Sequence, residues 1–179
     1  MSASKIVLIG LVNPKTPTNV GAVMRAAGCY QADGVCYTGD RFERAARYQT
    51  DTKNIQHRMP LDHVDSFFEK LPDNTEVICV EFAEGATPLP GFQHPERALY
   101  IFGPEDGSVP QDVVSQADHV VYVPTTGCMN LAASVNVLLY DRLAKSGTKY
   151  GGEDLIKRSR DVNNRLKVNR PGQGEKHAQ

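Results

Sequence analysis

No apolar run in this 179-residue chain approaches the ~18 residues that a membrane-spanning helix needs, so no such span is expected. The apolar stretch near the start, Ile6 to Gly10, is too short for a secretory signal and has no cleavage pattern after it; it reads as a first strand. The four cysteines (Cys29, Cys36, Cys79, Cys128) form no Cys-x-x-Cys, and the five histidines show no His-x-x-x-His spacing. Structural zinc and other metal sites are therefore not expected, and the thiols are expected to be reduced, in the cytoplasm. Three nucleotide and hydrolase fingerprints are missing as well. There is no Gly-x-Gly-x-x-Gly after the first strand, no Gly-x-x-x-x-Gly-Lys-[Ser/Thr], and no Gly-x-Ser-x-Gly. A dinucleotide-binding Rossmann site, a P-loop NTPase and a serine hydrolase elbow are set aside on that ground. Nor is there an excess of one charge, with 20 Lys+Arg against 21 Asp+Glu.

What is present is enough apolar material, 40% of residues, for one compact domain with its own core. The near-neutral total hides an uneven distribution. Residues 1–150 carry 13 basic and 17 acidic side chains, whereas residues 151–179 carry 7 and 4. This predicts an acidic body over 1–150 and a basic C-terminal tail over 151–179. A second basic cluster, Arg41, Arg44, Arg47, Lys53 and Arg58, faces only Glu43 and Asp51 within its own stretch. Such a run is either a solvated face or a phosphate-contacting loop.

Short β-type runs alternate with helix-like stretches, the pattern of an α/β domain with a mainly parallel sheet flanked by helices. Strands are predicted over Lys5–Leu11, Gly34–Thr38, Glu76–Phe82, Ala98–Phe102 and His119–Val123. A helix capped by Thr18 or Asn19 should run to about Tyr30, with Val20, Val23, Met24 and Ala27 facing the core. Short helices are expected over Val64–Leu71 and Pro110–Ala117, a buried one over Leu131–Leu143, and one over Asp154–Leu166 in the tail.

Three strand-to-loop junctions carry the candidate chemistry, because ligands of open α/β sheets sit outside the carboxyl ends of strands. The first runs from Asn13 to Arg25, where a helix N-terminus offers free N–H groups and Arg25 emerges between Gly21 and Gly28. The second, Ile101 to Pro110, combines Gly103 and Gly107 with the acidic pair Glu105 and Asp106, which suits a cationic or hydroxyl-bearing ligand. The third, Val121 to Leu131, passes through small residues to Asn130, an N-cap candidate for the helix that follows. Cys128 has no histidine partner that would make it a nucleophile.

In this order and at these separations, Asn19-Val20-Gly21-Ala22-Val23-Met24-Arg25, Phe102-Gly103-Pro104-Glu105-Asp106-Gly107 and Val123-Pro124 through Cys128-Met129-Asn130-Leu131 resemble the three motifs of the SpoU/TrmH class of the SPOUT superfamily. The resemblance covers about residues 5–147. It implies an α/β fold with a deep C-terminal trefoil knot, a homodimer with a shared active site, and an S-adenosylmethionine-dependent RNA ribose 2′-O-methyltransferase. It also implies Gly103, Val123, Cys128 and Asn130 at the cofactor, with Glu105, Met129 and Leu131 close by and Glu81 on the other side. Cys128 stands where relatives often have Ser.

Arg25 and Asn19 become the catalytic candidates, and Arg41, Arg44, Arg47 and Arg58 the RNA-contact candidates. Six residues at ~100° each separate Asn19 from Arg25, so they do not share a helix face. A guanidinium is a poor base, so Arg25 is expected to stabilise a developing alkoxide while Asn19 shapes the loop. Glu105 is expected to order its loop rather than exchange protons. The 2′-hydroxyl target implies RNA, with tRNA favoured and rRNA the alternative; the rival of another class is a catalytically silent RNA- or cofactor-binding protein.

Overall fold

Runs such as Ile6-Val7-Leu8-Ile9 and Ala98-Leu99-Tyr100-Ile101 place apolar side chains at consecutive positions, which suits strands covered on both faces. In the computed structural model, which describes residues 4–46, 59–147 and 151–168, these two runs lie side by side. Strands β1 (Ile6–Leu11), β2 (Gly34–Tyr37), β3 (Leu61–His63), β4 (Glu76–Val80), β5 (Thr87–Pro88), β6 (Arg97–Phe102) and β7 (His119–Tyr122) form one sheet, ordered β3-β2-β1-β6-β4-β7-β5. Every pairing is parallel, so all the carboxyl ends gather at one edge. Because β1 pairs with β6, and β4 lies between β6 and β7, the three candidate junctions open along that edge.

The helices are α1 (Pro17–Cys29), α2 (Arg41–Ala46), α3 (Gln111–Gln116), α4 (Leu131–Lys145) and α5 (Glu153–Ser159). One buried cluster joins α1 (Val20, Val23, Met24) and α4 (Val135, Leu138, Leu139) to Ile9, Leu11 and Phe102 of the sheet. A second joins Val12, Phe67, Val77, Leu99, Ile101 and Val109. Each such side chain contributes ~1.5–3 kcal/mol on burial. Burial also pushes the thiols of Cys36 and Cys79 up, to about 12 and about 11, which leaves them unreactive.

The far end of α4 is held by polar contacts with chain carbonyls. Arg142 donates to Pro95 O (2.6 Å), Glu96 O (3.0 Å) and Tyr100 Oη (2.8 Å). Lys145 donates to Leu89 O (2.6 Å) and Phe92 O (3.0 Å) and pairs with Asp141 (2.7 Å). His94, buried between Tyr100 Oη and Asp141 Oδ2 at 2.8 Å each, completes the clamp. Its burial outweighs the attraction of Asp141 and lowers its pKa.

Several elements differ from the sequence expectation. The first helix begins at Pro17 with Thr16 as its cap residue, since proline's fixed φ suits a first helical position. Val64–Leu71 is not helical: the Phe68 N–H bonds to Ser66 Oγ, a local turn that competes with helix, and Phe67 plugs the core. α4 is amphipathic rather than buried all round, with Val137 37% and Tyr140 62% exposed. The tail helix ends at Ser159. β3 and β5, three and two residues long, were not expected. Within 41–58 the chain is helical over Arg41–Ala46; Arg47, Lys53 and Arg58 lie outside the described residues.

The described residues divide into two compact units, one within 1–147 and one within 148–179. Among them no helix is long and apolar enough to cross a membrane.

Candidate functional site

A cleft of about 370 Å³ opens at the carboxyl edge of the sheet, within the usual range for small-molecule sites. The strand ends supply its walls: Val80, Glu81 and Phe82 after β4, the loop from Gly103 after β6, and Tyr122 to Met129 after β7. The start of α4 adds Leu131 and Ser134. Of the residues singled out in the sequence, Glu81, Gly103, Glu105, Val123, Cys128, Met129 and Leu131 all line this one cleft. Asn130 does not. Its side chain caps α4, accepting from Ala132 N (2.9 Å) and Ala133 N (3.4 Å).

The wall after β6 is built around a glycine. A Cβ on Gly103 would come within 3.0 Å of Val109 N and 3.2 Å of Glu81 Oε2. Glu81 bridges the two strand ends, its carboxylate accepting from Val109 N and Phe82 N at 2.9 Å each. Two oxygens with several lone pairs leave it acceptor capacity on the cleft side. At the rim, Phe82 is 50% exposed and its ring centroid lies 5.7 Å from that of Tyr122. Sequence reasoning missed both; their one signal is their place at or just past a strand's carboxyl end.

One hydrogen-bonded chain joins the three junctions. Asn130 Nδ2 donates to Asn19 Oδ1 (3.1 Å), and Asn19 Nδ2 donates to Glu105 Oε1 (2.9 Å). Glu105 also accepts from Lys15 N (2.8 Å), Thr16 N (3.1 Å) and Thr16 Oγ1 (3.0 Å). Thr16, at the cap position, makes no side-chain cap bond; Glu105 instead sets a negative charge at the start of α1, where the dipole favours one. Burial alone would raise the Glu105 pKa, but the donors from Asn19, Lys15 and Thr16 outweigh it and hold it below the usual carboxylate range. The carboxylate is thus ionised and committed to the chain, not offered to a ligand as the acidic pair suggested. Asp106 is likewise taken: it pairs with Arg41 (2.9 and 3.0 Å), whose bond lowers its pKa, and with Lys15 (3.3 Å). Arg44 pairs with Asp40.

Arg25 stands apart from this cluster. It is exposed on the outer face of α1, does not line the cleft of its own chain, and makes no ion pair or hydrogen bond among the described residues. Of the basic candidates, Arg41 and Arg44 are ion-paired as above, and Arg47 and Arg58 lie outside the described residues.

A parallel sheet whose strand ends wall a cleft, sealed by an Asn–Asn–Glu chain between three loops, defines an α/β ligand-binding protein of the kind in which small molecules sit beyond the strand ends. Residues 6–140 match the model of the SpoU rRNA Methylase family, and the chain belongs to that family. No curated protein matches it. Among solved structures it is similar to one described as giving structural insights into the 2-OH methylation of C/U34 on tRNA (22% identity, 83% of this chain and 95% of that one, TM-score 0.69). It is also similar to the A. aeolicus TrmH/SpoU tRNA modifying enzyme (15%, 87% and 86%, 0.68). A third is AviRb of Streptomyces viridochromogenes in complex with AdoMet (18%, 82% and 60%, 0.65); the chain thus spans 60% of the length of that protein. A C-terminal trefoil knot is characteristic of this fold.

Proposed function

We propose that the chain transfers a methyl group from S-adenosylmethionine to a ribose 2′-hydroxyl of RNA, with tRNA the favoured substrate. The observation that carries this reading is the cleft itself, where the second and third motifs meet beside Asn19 of the first. S-adenosylmethionine is the cofactor, and the residues present fit it. About 370 Å³ of space is bounded by the loops after three strands, with a close-approach glycine at Gly103, the carboxylate of Glu81 and the apolar Met129 and Leu131.

When bound, the cofactor supplies a sulfonium methyl for in-line displacement by the ribose oxygen. The chain's part is alignment and charge. Gly103, Val123, Cys128, Met129 and Leu131 shape the cleft, while Asn130 and Asn19 hold the third loop to the first and Glu105 holds the first to the second. Alignment of this kind can supply much of a rate enhancement. The Arg25 guanidinium stabilises the alkoxide that develops as the hydroxyl loses its proton to phosphate or water.

Arg25 is outside its own chain's cleft, and the outer faces of α1 and α4 expose Ala22, Arg25, Ala133, Val137 and Tyr140. These favour a homodimer in which each Arg25 serves the partner's cleft. The basic tail over 151–179, with Lys157, Arg158, Arg160, Arg165 and Lys167, is a further RNA-contacting unit, and the reaction is placed in the cytoplasm. Ribosomal RNA is the second reading, supported by the description of the family.

The test is transfer of labelled methyl groups from S-adenosylmethionine to separate tRNA and rRNA fractions taken from cells lacking this protein, followed by digestion to nucleosides. Label in 2′-O-methylnucleosides of the tRNA fraction is expected. Label on bases, or saturable RNA binding with no label, contradicts the reading.

A further inference from the structure

The described cations of the 4–147 body differ in what holds them. Arg97, Arg142 and Lys145 are bonded to backbone carbonyls. Lys15, from the loop after β1, and Arg41, the first residue of α2, converge instead on one carboxylate. Lys15 Nζ and Arg41 Nη2 lie 3.3 and 2.9 Å from the same Asp106 Oδ2. Neither cationic head has another partner among the described residues. Asp106 sits between Glu105 and Gly107, both of which line the cleft, and its side chain is 48% exposed.

The two segments that carry the cations do not depend on Asp106 for their position. Glu105 fixes Lys15 through its backbone N–H. The Arg41 N–H donates to Asn13 Oδ1 (3.4 Å), and Asn13 N donates to Thr38 Oγ1 (3.4 Å). Gly39, at φ +74°, leaves room for that asparagine, since a Cβ there would lie 2.3 Å from Asn13 Oδ1. Removal of the Asp106 charge therefore leaves a lysine and an arginine facing one point at the lip of the cleft.

We propose that Lys15 and Arg41 form a binding site for an RNA backbone phosphate, and that Asp106 is its built-in counter-ion, displaced when the strand docks. The proposal rests on the RNA reading above. An exposed ion pair contributes little to stability, so the exchange costs little. A phosphodiester offers two oxygens to a guanidinium fork and an ammonium, as the carboxylate does now. Asp106 repels a phosphate that cannot fully replace it. It thus sets a threshold that favours strands held by further contacts over stray polyanions.

Binding of unfractionated tRNA, measured across a salt series with the full chain, tests this. Asp106→Asn is expected to bind ~3–10-fold tighter at low salt, with the gain fading as salt rises. Lys15→Ala/Arg41→Ala is expected to bind more weakly, with a salt slope smaller by ~1–2. The gain from Asp106→Asn should vanish in that double-variant background. Unchanged or weaker binding by Asp106→Asn, or a gain that survives without Lys15 and Arg41, overturns the site. In that case the unsubstituted chain still methylates RNA and the functional reading stands. A chain that neither binds nor methylates RNA overturns both.

Discussion

The two edges of the sheet use the same residue types for opposite ends. At the amino edge, Arg97, Arg142 and Lys145 reach backbone carbonyls, and Arg142 and Lys145 clamp the last turns of α4 to the 89–96 segment. At the carboxyl edge Lys15, Arg41 and Arg44 are matched to carboxylates on exposed loops; Arg25, further along α1 and on its outside, has no partner among the described residues. A backbone carbonyl cannot leave its half-buried cation without moving the chain, so the first arrangement is rigid. Exposed ion pairs exchange readily, so the second is available to a ligand. Where a cation's partner sits therefore separates the cations that hold the fold from those free to work.

Substitutions on each side should break this contrast in different ways. Arg25→Ala is expected to lower methyl transfer by ~100-fold or more, as removal of one charge-stabilising donor does, with the melting temperature and S-adenosylmethionine affinity unchanged by calorimetry. Arg142→Ala should do the reverse. Leaving Pro95 O, Glu96 O and Tyr100 Oη short of a donor should cost ~2–4 kcal/mol of stability in denaturant titration, with near-native transfer per folded molecule well below the melting point.

Asn130→Ala belongs to both sides. Loss of the α4 cap is expected to cost ~1 kcal/mol, with a further fall in transfer because Asn19 loses its partner. Asn130→Asp, which keeps the cap acceptor and removes the donor to Asn19, should recover the stability and not the activity.

The smallest effect is in pH. The pKa of His94 is depressed in the folded chain, so its neutral form stabilises the clamp fully above the ordinary value of 6.5. That stability should be lost as pH falls from there toward the lower folded value, read as a drop in melting temperature that His94→Gln flattens. Glu105, also depressed, adds a second loss below its ordinary 4.5.

The strands and the three junctions were legible in the sequence because continuous apolar runs and Gly/Pro punctuation are local signals. β3 and β5 were not, since two or three residues carry no periodicity. Val64–Leu71 misled because its apolar spacing fits a helix, while the Ser66 hydroxyl offers the backbone a turn instead. The long-range partners were the least legible part. Glu105 and Asp106 are adjacent in sequence, yet one is held by the α1 start and the other by two long cations from separate segments. The β1–β6 and β1–β2 pairings together bring those segments to one point. That Asn130 would bond both its own helix and Asn19 follows from the packing of α4 against α1, whereas the cap alone was readable from its position before the helix.

In the proposed homodimer Arg25 of one chain works at the cleft of the other, and co-assembly of two inactive variants checks this. Arg25→Ala lacks the guanidinium; Cys128→Trp fills the cleft with a bulky ring at an exposed lining position. Each alone should be inactive, and mixed dimers from co-expression should recover ~25% of native methyl transfer, because half the dimers then hold one intact site. Mixed samples as inactive as either parent would contradict a shared site.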